Sequence, residues 1–184
     1  MKKILPVAAI GLAFTTFIIL QLAVNGQRLS ASLTEENKAQ YALFENEYSK
    51  FADVDHKGNE IKLTQVDAPI VILNFWASWC RPCIAEFKGL NQLIDKYGEK
   101  NIFILGINND TESPKKNVLK VKSEYQIKFN SILDPKGTYA DKFKVIAIPS
   151  TIVYHKGKVI RFFKKEYDFT SDEFISLIES KIKD

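Results

Sequence analysis

Cysteine is nearly absent from this sequence. Two occur in 184 residues, Cys80 and Cys83, and neither lies near the N-terminus. That scarcity excludes a framework of structural disulfides and lipid attachment through an N-terminal cysteine. Histidine is equally sparse, with His56 and His155 alone. Zinc would need ligands beyond one cysteine pair, and both histidines sit beside turn signals, where solvated side chains are expected, so no metal or cofactor is predicted. Internal repeats and low-complexity stretches are missing too. Nor is there much surplus charge. Of the formal net +4, Lys2, Lys3 and Arg28 contribute three in an opening segment without acids, which leaves about +1 for the rest. Nucleic-acid binding needs a concentrated basic face, and this balance argues against it.

What the chain does have is one long apolar run. Behind Lys2-Lys3 comes "ILPVAAIGLAFTTFIILQLAV", roughly 21 residues without a charge. At about 1.5 Å per residue a helix of that length crosses a hydrocarbon layer of roughly 30 Å. The apolar region of a cleaved signal peptide is shorter, about 7 to 15 residues. Val24-Asn25-Gly26 is also a poor small-x-small cleavage site. The segment 1–25 therefore reads as an uncleaved transmembrane anchor. A removed signal, leaving a soluble periplasmic or secreted protein, is the competing reading. Lysines on the cytoplasmic side place everything after Val24 outside, where disulfides can form.

Residues 26–50 are mixed and charged. Leu43, Phe44, Glu47, Tyr48 and Phe51 have the spacing of a helical stem. A domain is expected over 51–184. It opens with a hairpin around Asp55-His56-Lys57-Gly58-Asn59. "IVILNFW" at 70–76 is a continuous apolar run rich in β-branched and aromatic residues, the pattern of a strand covered on both faces. A helix over about 82–97, a strand over 102–107 and a helix behind Ser113-Pro114 follow. Beyond the turn "DPKG" the spacing predicts a short helix near 138–143. "TIVYH" and "VIRFF" form a hairpin across Lys156-Gly157-Lys158. Thr170-Ser171-Asp172-Glu173 has capping-box form before a last amphipathic helix. The order predicts an α/β domain: a mixed sheet with helices on both faces.

The chemistry concentrates in "NFWASWCRPC", residues 74–83. A C-x-x-C between a strand and a helix places the first sulfur at the helix N-terminus, where free N–H groups and the helix dipole favour a thiolate. Cys80 is thus the attacking sulfur, and Cys83, one turn further in, can displace the mixed disulfide. Arg81 adds a cation, and Pro82 starts the helix without needing a donor. A two-residue loop constrains the unfolded chain little, so a stapling role is weak. Glu86 falls on the apolar arc of the following helix, with Cys83, Phe87, Leu90 and Leu93. A carboxylate there is partly desolvated, which raises its pKa.

These residues resemble those of the TlpA/ResA-type membrane-anchored thiol-disulfide oxidoreductases, which have the thioredoxin fold. The resemblance is carried by "NFWASWCRPC" (74–83), "CIAEF" (83–87) and "AIPST" (147–151), and by the element order from about 51 to 184. It implies that Pro149 is cis and lies beside the cysteines, with the backbone of Ile148 free to pair with an extended substrate. It also implies that Glu86 handles protons for Cys80 and Cys83. Thioredoxin itself carries an aspartate where this chain has Asn74, which cannot titrate, and this favours the TlpA/ResA branch. Trp79, Arg81 and Pro82 are assigned to the substrate surface, and Trp76 to packing.

The implied activity is extracytoplasmic reduction of disulfides in exported proteins. Apocytochrome c is the client class, and a membrane protein of the CcdA/DsbD kind is the electron donor. An oxidant or isomerase of exported proteins would use the same residues. A membrane-tethered binding module would leave the cysteines idle. A peroxiredoxin-type peroxidase places a lone cysteine in Pro-x-x-x-Thr-x-x-Cys, a pattern that does not occur here.

Overall fold

A computed structural model describes the backbone of residues 5–184 and the side chains of residues 17–25 and 35–184. The first helix, α1, runs Leu5–Lys50, and two units divide along it, Met1–Ala42 and Leu43–Asp184. In the first unit the described apolar side chains from Phe17 to Val24 are exposed. Most of the expected anchor, residues 1–16, lies outside the described side chains. Among the described residues no helix is long and apolar enough to cross a membrane.

The second unit begins inside the expected stem. Phe44 is fully buried, and Tyr48 donates its hydroxyl to the Leu63 carbonyl at 3.0 Å. The last turns of α1 therefore belong to the domain core. A short hairpin follows, β1 (Ala52–Val54) and β2 (Glu60–Lys62), and then the central strand β3 (Ile70–Trp76). The remaining elements are α2 (Arg81–Tyr97), β4 (Ile102–Asn108), α3 (Pro114–Glu124), β5 (Asn130–Leu133), α4 (Thr138–Lys142), β6 (Ser150–His155), β7 (Lys158–Phe163) and α5 (Asp172–Ile182).

Five strands form one sheet in the order β5-β4-β3-β6-β7. Strand β3 pairs in parallel with β4, and β4 with β5, whereas β6 and β7 run antiparallel. The mixed sheet is the expected one. All seven residues of β3 are buried, because alternate side chains serve two cores. Ile70, Ile72 and Trp76 pack with Phe87, Leu90 and Leu93 of α2 and with Phe174 and Ile178 of α5. Phe75 faces the other way, 5.7 Å between ring centroids from Phe143, which in turn meets Phe44 of α1. The β6–β7 turn uses Lys156 (φ 49°) and Gly157 (φ 77°), the left-handed pair that a two-residue hairpin turn requires.

Two local expectations fail. Ser171 rather than Thr170 is the N-cap of α5, and neither makes the expected side-chain capping bond: the Ser171 hydroxyl pairs with that of Tyr167 at 3.1 Å, and Thr170 turns its hydroxyl to Asp168. His56 is 3% exposed rather than solvated. The hairpin folds back on β5 through the Asp55–Ile132 bridge and carries the imidazole inside, with Nδ1 3.2 Å from both the N and the O of Ser131. His155 is half-buried rather than solvated, and among the described residues its Nε2 has no partner.

Candidate active site

Strand β3 ends at Trp76, and the chain turns through Ala77–Trp79 into α2. Cys80 is the N-cap residue of α2, and its Sγ accepts from the Cys83 N–H at 3.3 Å. The two sulfurs are joined at 2.01 Å. Cys80 is 4% exposed and Cys83 is fully buried, so both lie in the core and Cys80 alone keeps any exposed area. Arg81 and Pro82, the first two helical residues, are exposed.

The Ile148–Pro149 bond is cis. Strand β6 begins one residue later, and Ser150 pairs with Phe75 and Thr151 with Asn74. This register sets the proline loop beside the end of β3, next to the cysteine loop. Ile148 is half-buried. Trp79, by contrast, is 71% exposed, and Ile146, near the proline, is 99% exposed.

Behind the disulfide, Glu86 is 3% exposed. Its Oε2 accepts from Asn74 Nδ2 at 3.0 Å and its Oε1 from the Tyr167 N–H at 2.9 Å. Asn74 Nδ2 also donates to Thr151 Oγ1 at 2.8 Å. Burial pushes the Glu86 carboxyl up to about 7, against the two hydrogen bonds, which favour the anion, and with a further push from the charge of Glu166. A cleft of about 610 Å³ between α2 and Lys165–Thr170 has Glu86 in its wall. It connects this acid with solvent on the flank of α2.

Two further groups hold the cysteine loop. Asp110, 2% exposed, accepts from the Ser78 N–H and Oγ at 3.0 Å and from Asn108 Nδ2 at 3.0 Å. Trp76 donates to Ser131 Oγ at 3.3 Å and meets Phe87 edge-on. Gly106 makes room for that contact, since a Cβ there would stand 2.5 Å from Ser131 Oγ and 2.6 Å from Trp76 Nε1. The sequence reading singled out none of Asp110, Thr151, Ser131 or Tyr167. Asp110 follows two asparagines and reads as an ordinary turn. Tyr167 acts through its backbone N–H, for which no side-chain signal exists.

The sheet order, the cis-proline loop and a C-x-x-C disulfide whose first cysteine caps a helix N-terminus define a thioredoxin-fold protein of dithiol–disulfide chemistry. Comparison with known proteins agrees. Residues 40–163 match the family model described as the AhpC/TSA family. The thiol-disulfide oxidoreductase ResA of Bacillus thuringiensis is 33% identical over 159 residues, covering 84% of this chain and 88% of the relative. That of Geobacillus thermodenitrificans is 30% identical, covering 79% of this chain and 82% of its own. A crystal structure described as the thiol:disulfide interchange protein DsbE of Chlorobium tepidum superposes with a TM-score of 0.63 at 26% identity, over 72% of this chain and 92% of that one. The chain belongs to the AhpC/TSA family and, within it, to the ResA-like thiol-disulfide oxidoreductases.

Proposed function

We propose that this protein is a membrane-anchored, extracytoplasmic reductant of disulfides in exported proteins. The observation that carries the reading is the arrangement of Cys80, Cys83 and Glu86: one cysteine at a helix N-terminus with the little exposed area the pair has, its partner fully buried, and a buried acid poised near neutral pH one turn further on.

In the reduced protein the Cys80 thiolate attacks one sulfur of the client disulfide. A Cys80–client disulfide forms, and the first client sulfur leaves as a thiolate that takes up a proton. The Cys83 thiol then gives its proton to the Glu86 carboxylate and attacks Cys80 Sγ. The second client thiolate leaves, and the protein is left with the Cys80–Cys83 disulfide. Two electrons have moved from the dithiol to the client. A carboxyl with a pKa near 7 suits the proton step at neutral pH. Trp79, Arg81, Pro82 and Ile148 form the client surface, with Pro149 setting the backbone of Ile148.

The dithiol must be regenerated by electrons from the cytoplasm, and the family resemblance implies a CcdA/DsbD-like membrane donor. Apocytochrome c is the implied client, because its C-x-x-C-H thiols must be reduced before haem is attached. For the anchor, the support is the uncharged run behind Lys2-Lys3 and the exposed apolar side chains from Phe17 to Val24. Such a surface needs an apolar surrounding.

The deciding measurement is the reduction potential of the Cys80–Cys83 couple in the full-length protein, equilibrated in detergent against thiol buffers. A value near or below about −270 mV, the thioredoxin range, fits a reductant fed from the cytoplasm. A value near about −120 mV overturns that direction and makes the protein an oxidant of exported thiols.

A further inference from the structure

The two most exposed large apolar side chains of the domain belong to the two loops that meet at Cys80. Ile146 is 99% exposed and Trp79 71%. The other exposed apolar residues of the domain, Val54, Leu119 and Tyr125, lie on β1 and on or just after α3. Ile146 sits between α4 and β6, two residues ahead of Ile148 and its cis bond to Pro149. Strand register brings that segment beside the end of β3, since Phe75 pairs with Ser150. An isoleucine with its whole side chain in water contributes nothing to packing, while burying it against a partner is favourable.

The two loops and the helix ends that adjoin them are basic. Arg81, Lys142 and Lys144 are exposed, and among the described residues none of them enters an ion pair. Asp141 is the sole acid from Tyr139 to Ile148, and Ala77–Ala85 contains none. Among the described residues, the backbone N–H groups of Ile146, Ala147 and Ile148 make no hydrogen bond, which leaves them open to an extended segment.

We infer that this face selects client segments in which an apolar residue and an acidic residue stand next to the reacting cysteine, with Ile146 as the apolar contact and Lys144 and Arg81 as the charged ones. The inference rests on the proposed exchange with protein disulfides and adds what the client must look like. Selection by Ile146 is separate from backbone pairing at Ile148, because it depends on a side chain two residues upstream.

The test uses reduced full-length protein in detergent and three disulfides. Two are homodimers of a short single-cysteine peptide, one with Leu and Glu flanking the cysteine and the other with Ser and Lys there. The third is hydroxyethyl disulfide, small and uncharged. In each reaction the substrate disulfide is reduced to two thiols and the protein is oxidised to its Cys80–Cys83 disulfide. The Leu-Glu peptide is expected to react about tenfold faster than the Ser-Lys peptide. Ile146→Ser should lower the Leu-Glu rate, relative to the hydroxyethyl disulfide rate, about five- to tenfold, and Lys144→Glu should remove the preference for acid.

Equal rates for the two peptides, or an Ile146→Ser loss of the same size on hydroxyethyl disulfide, would overturn the inference. A wild-type protein that dimerises and becomes monomeric on Ile146→Ser would overturn it as well, by making a second copy the occupant. Failure of the wild type to reduce any of the three disulfides would instead remove the exchange reading on which the inference stands.

Discussion

Glu86 and Asn74 meet at 3.0 Å inside the interface between α2 and β3, carboxylate to amide N–H. Both side chains are buried, and the amide spends its second N–H on Thr151, leaving Oδ1 without a partner among the described residues. Donated N–H groups favour the ionised acid, whereas burial favours the neutral one. The balance sets the carboxyl near 7, so it changes charge in the range where thiol exchange operates.

One consequence is a pH-dependent stability. The Glu86 carboxyl rises from 4.5 to about 7 on folding, so between those values the folded chain holds more protons than the unfolded one. Stability therefore falls as pH rises through that window, by up to about 3 kcal/mol. Glu86→Gln should lose this slope in urea titrations between pH 5 and 8. In the reduced protein it should also move the alkylation profile of Cys80 to lower pH, because an anion beside the thiols is gone. Superimposable wild-type and variant profiles would take Glu86 out of the mechanism.

Asp110 is expected to act as the clamp of the cysteine loop. Asp110→Ala leaves the Ser78 N–H and Asn108 Nδ2 without their acceptor in a buried site, at a cost of about 2 to 3 kcal/mol. Asp110→Asn keeps an acceptor oxygen for Ser78 and should cost less. Denaturant midpoints of the three proteins decide the matter, and an alanine variant within about 0.5 kcal/mol of wild type would rule the clamp out.

His56 gives an opposite pH response. Its pKa is lowered, chiefly by burial, so below the usual imidazole range the unfolded chain binds a proton that the folded one resists. Its contribution to stability is present above about 6.5 and is lost as pH falls. His56→Gln should therefore lose less stability than wild type between pH 7.5 and pH 5. An unchanged difference between the two proteins across that interval would show that His56 does not titrate on unfolding.

For the N-terminal segment, the full-length protein should stay with membranes through an alkaline carbonate wash. Recovery in the soluble fraction, shortened at its N-terminus, would establish signal cleavage instead.

The readable part of the site was local. Cys80, Cys83 and Pro82 announce themselves because a strand-to-helix turn with C-x-x-C has a mechanism written into its spacing. Glu86 could be found from the helical period alone, since a charge on an apolar arc must be buried or bent outward. The β6–β7 hairpin was legible because Gly157 marks a left-handed turn. What escaped were groups whose importance depends on residues far along the chain. His56 looks like a turn residue until the hairpin folds back on Ser131, 75 positions away. Asp110 faces Ser78 across 32 positions, and Tyr167 reaches Glu86 across 81. The capping box at Thr170 misled for the same reason in reverse, because a nearer acceptor, Asp168, captured the hydroxyl.

The division between the chain's two tryptophans has a practical result. Trp76 is sealed in the core against Phe87, while Trp79 stands in solvent immediately before Cys80. A disulfide efficiently quenches the excited state of an adjacent indole, and a thiol does so far less. The exposed ring emits to the red of the buried one. Both indoles lie near the disulfide, Trp76 in the same core cluster as Cys80 and Cys83 and Trp79 next to Cys80 in sequence, so emission at both wavelengths is expected to rise on reduction, and turnover can be watched in real time without a dye.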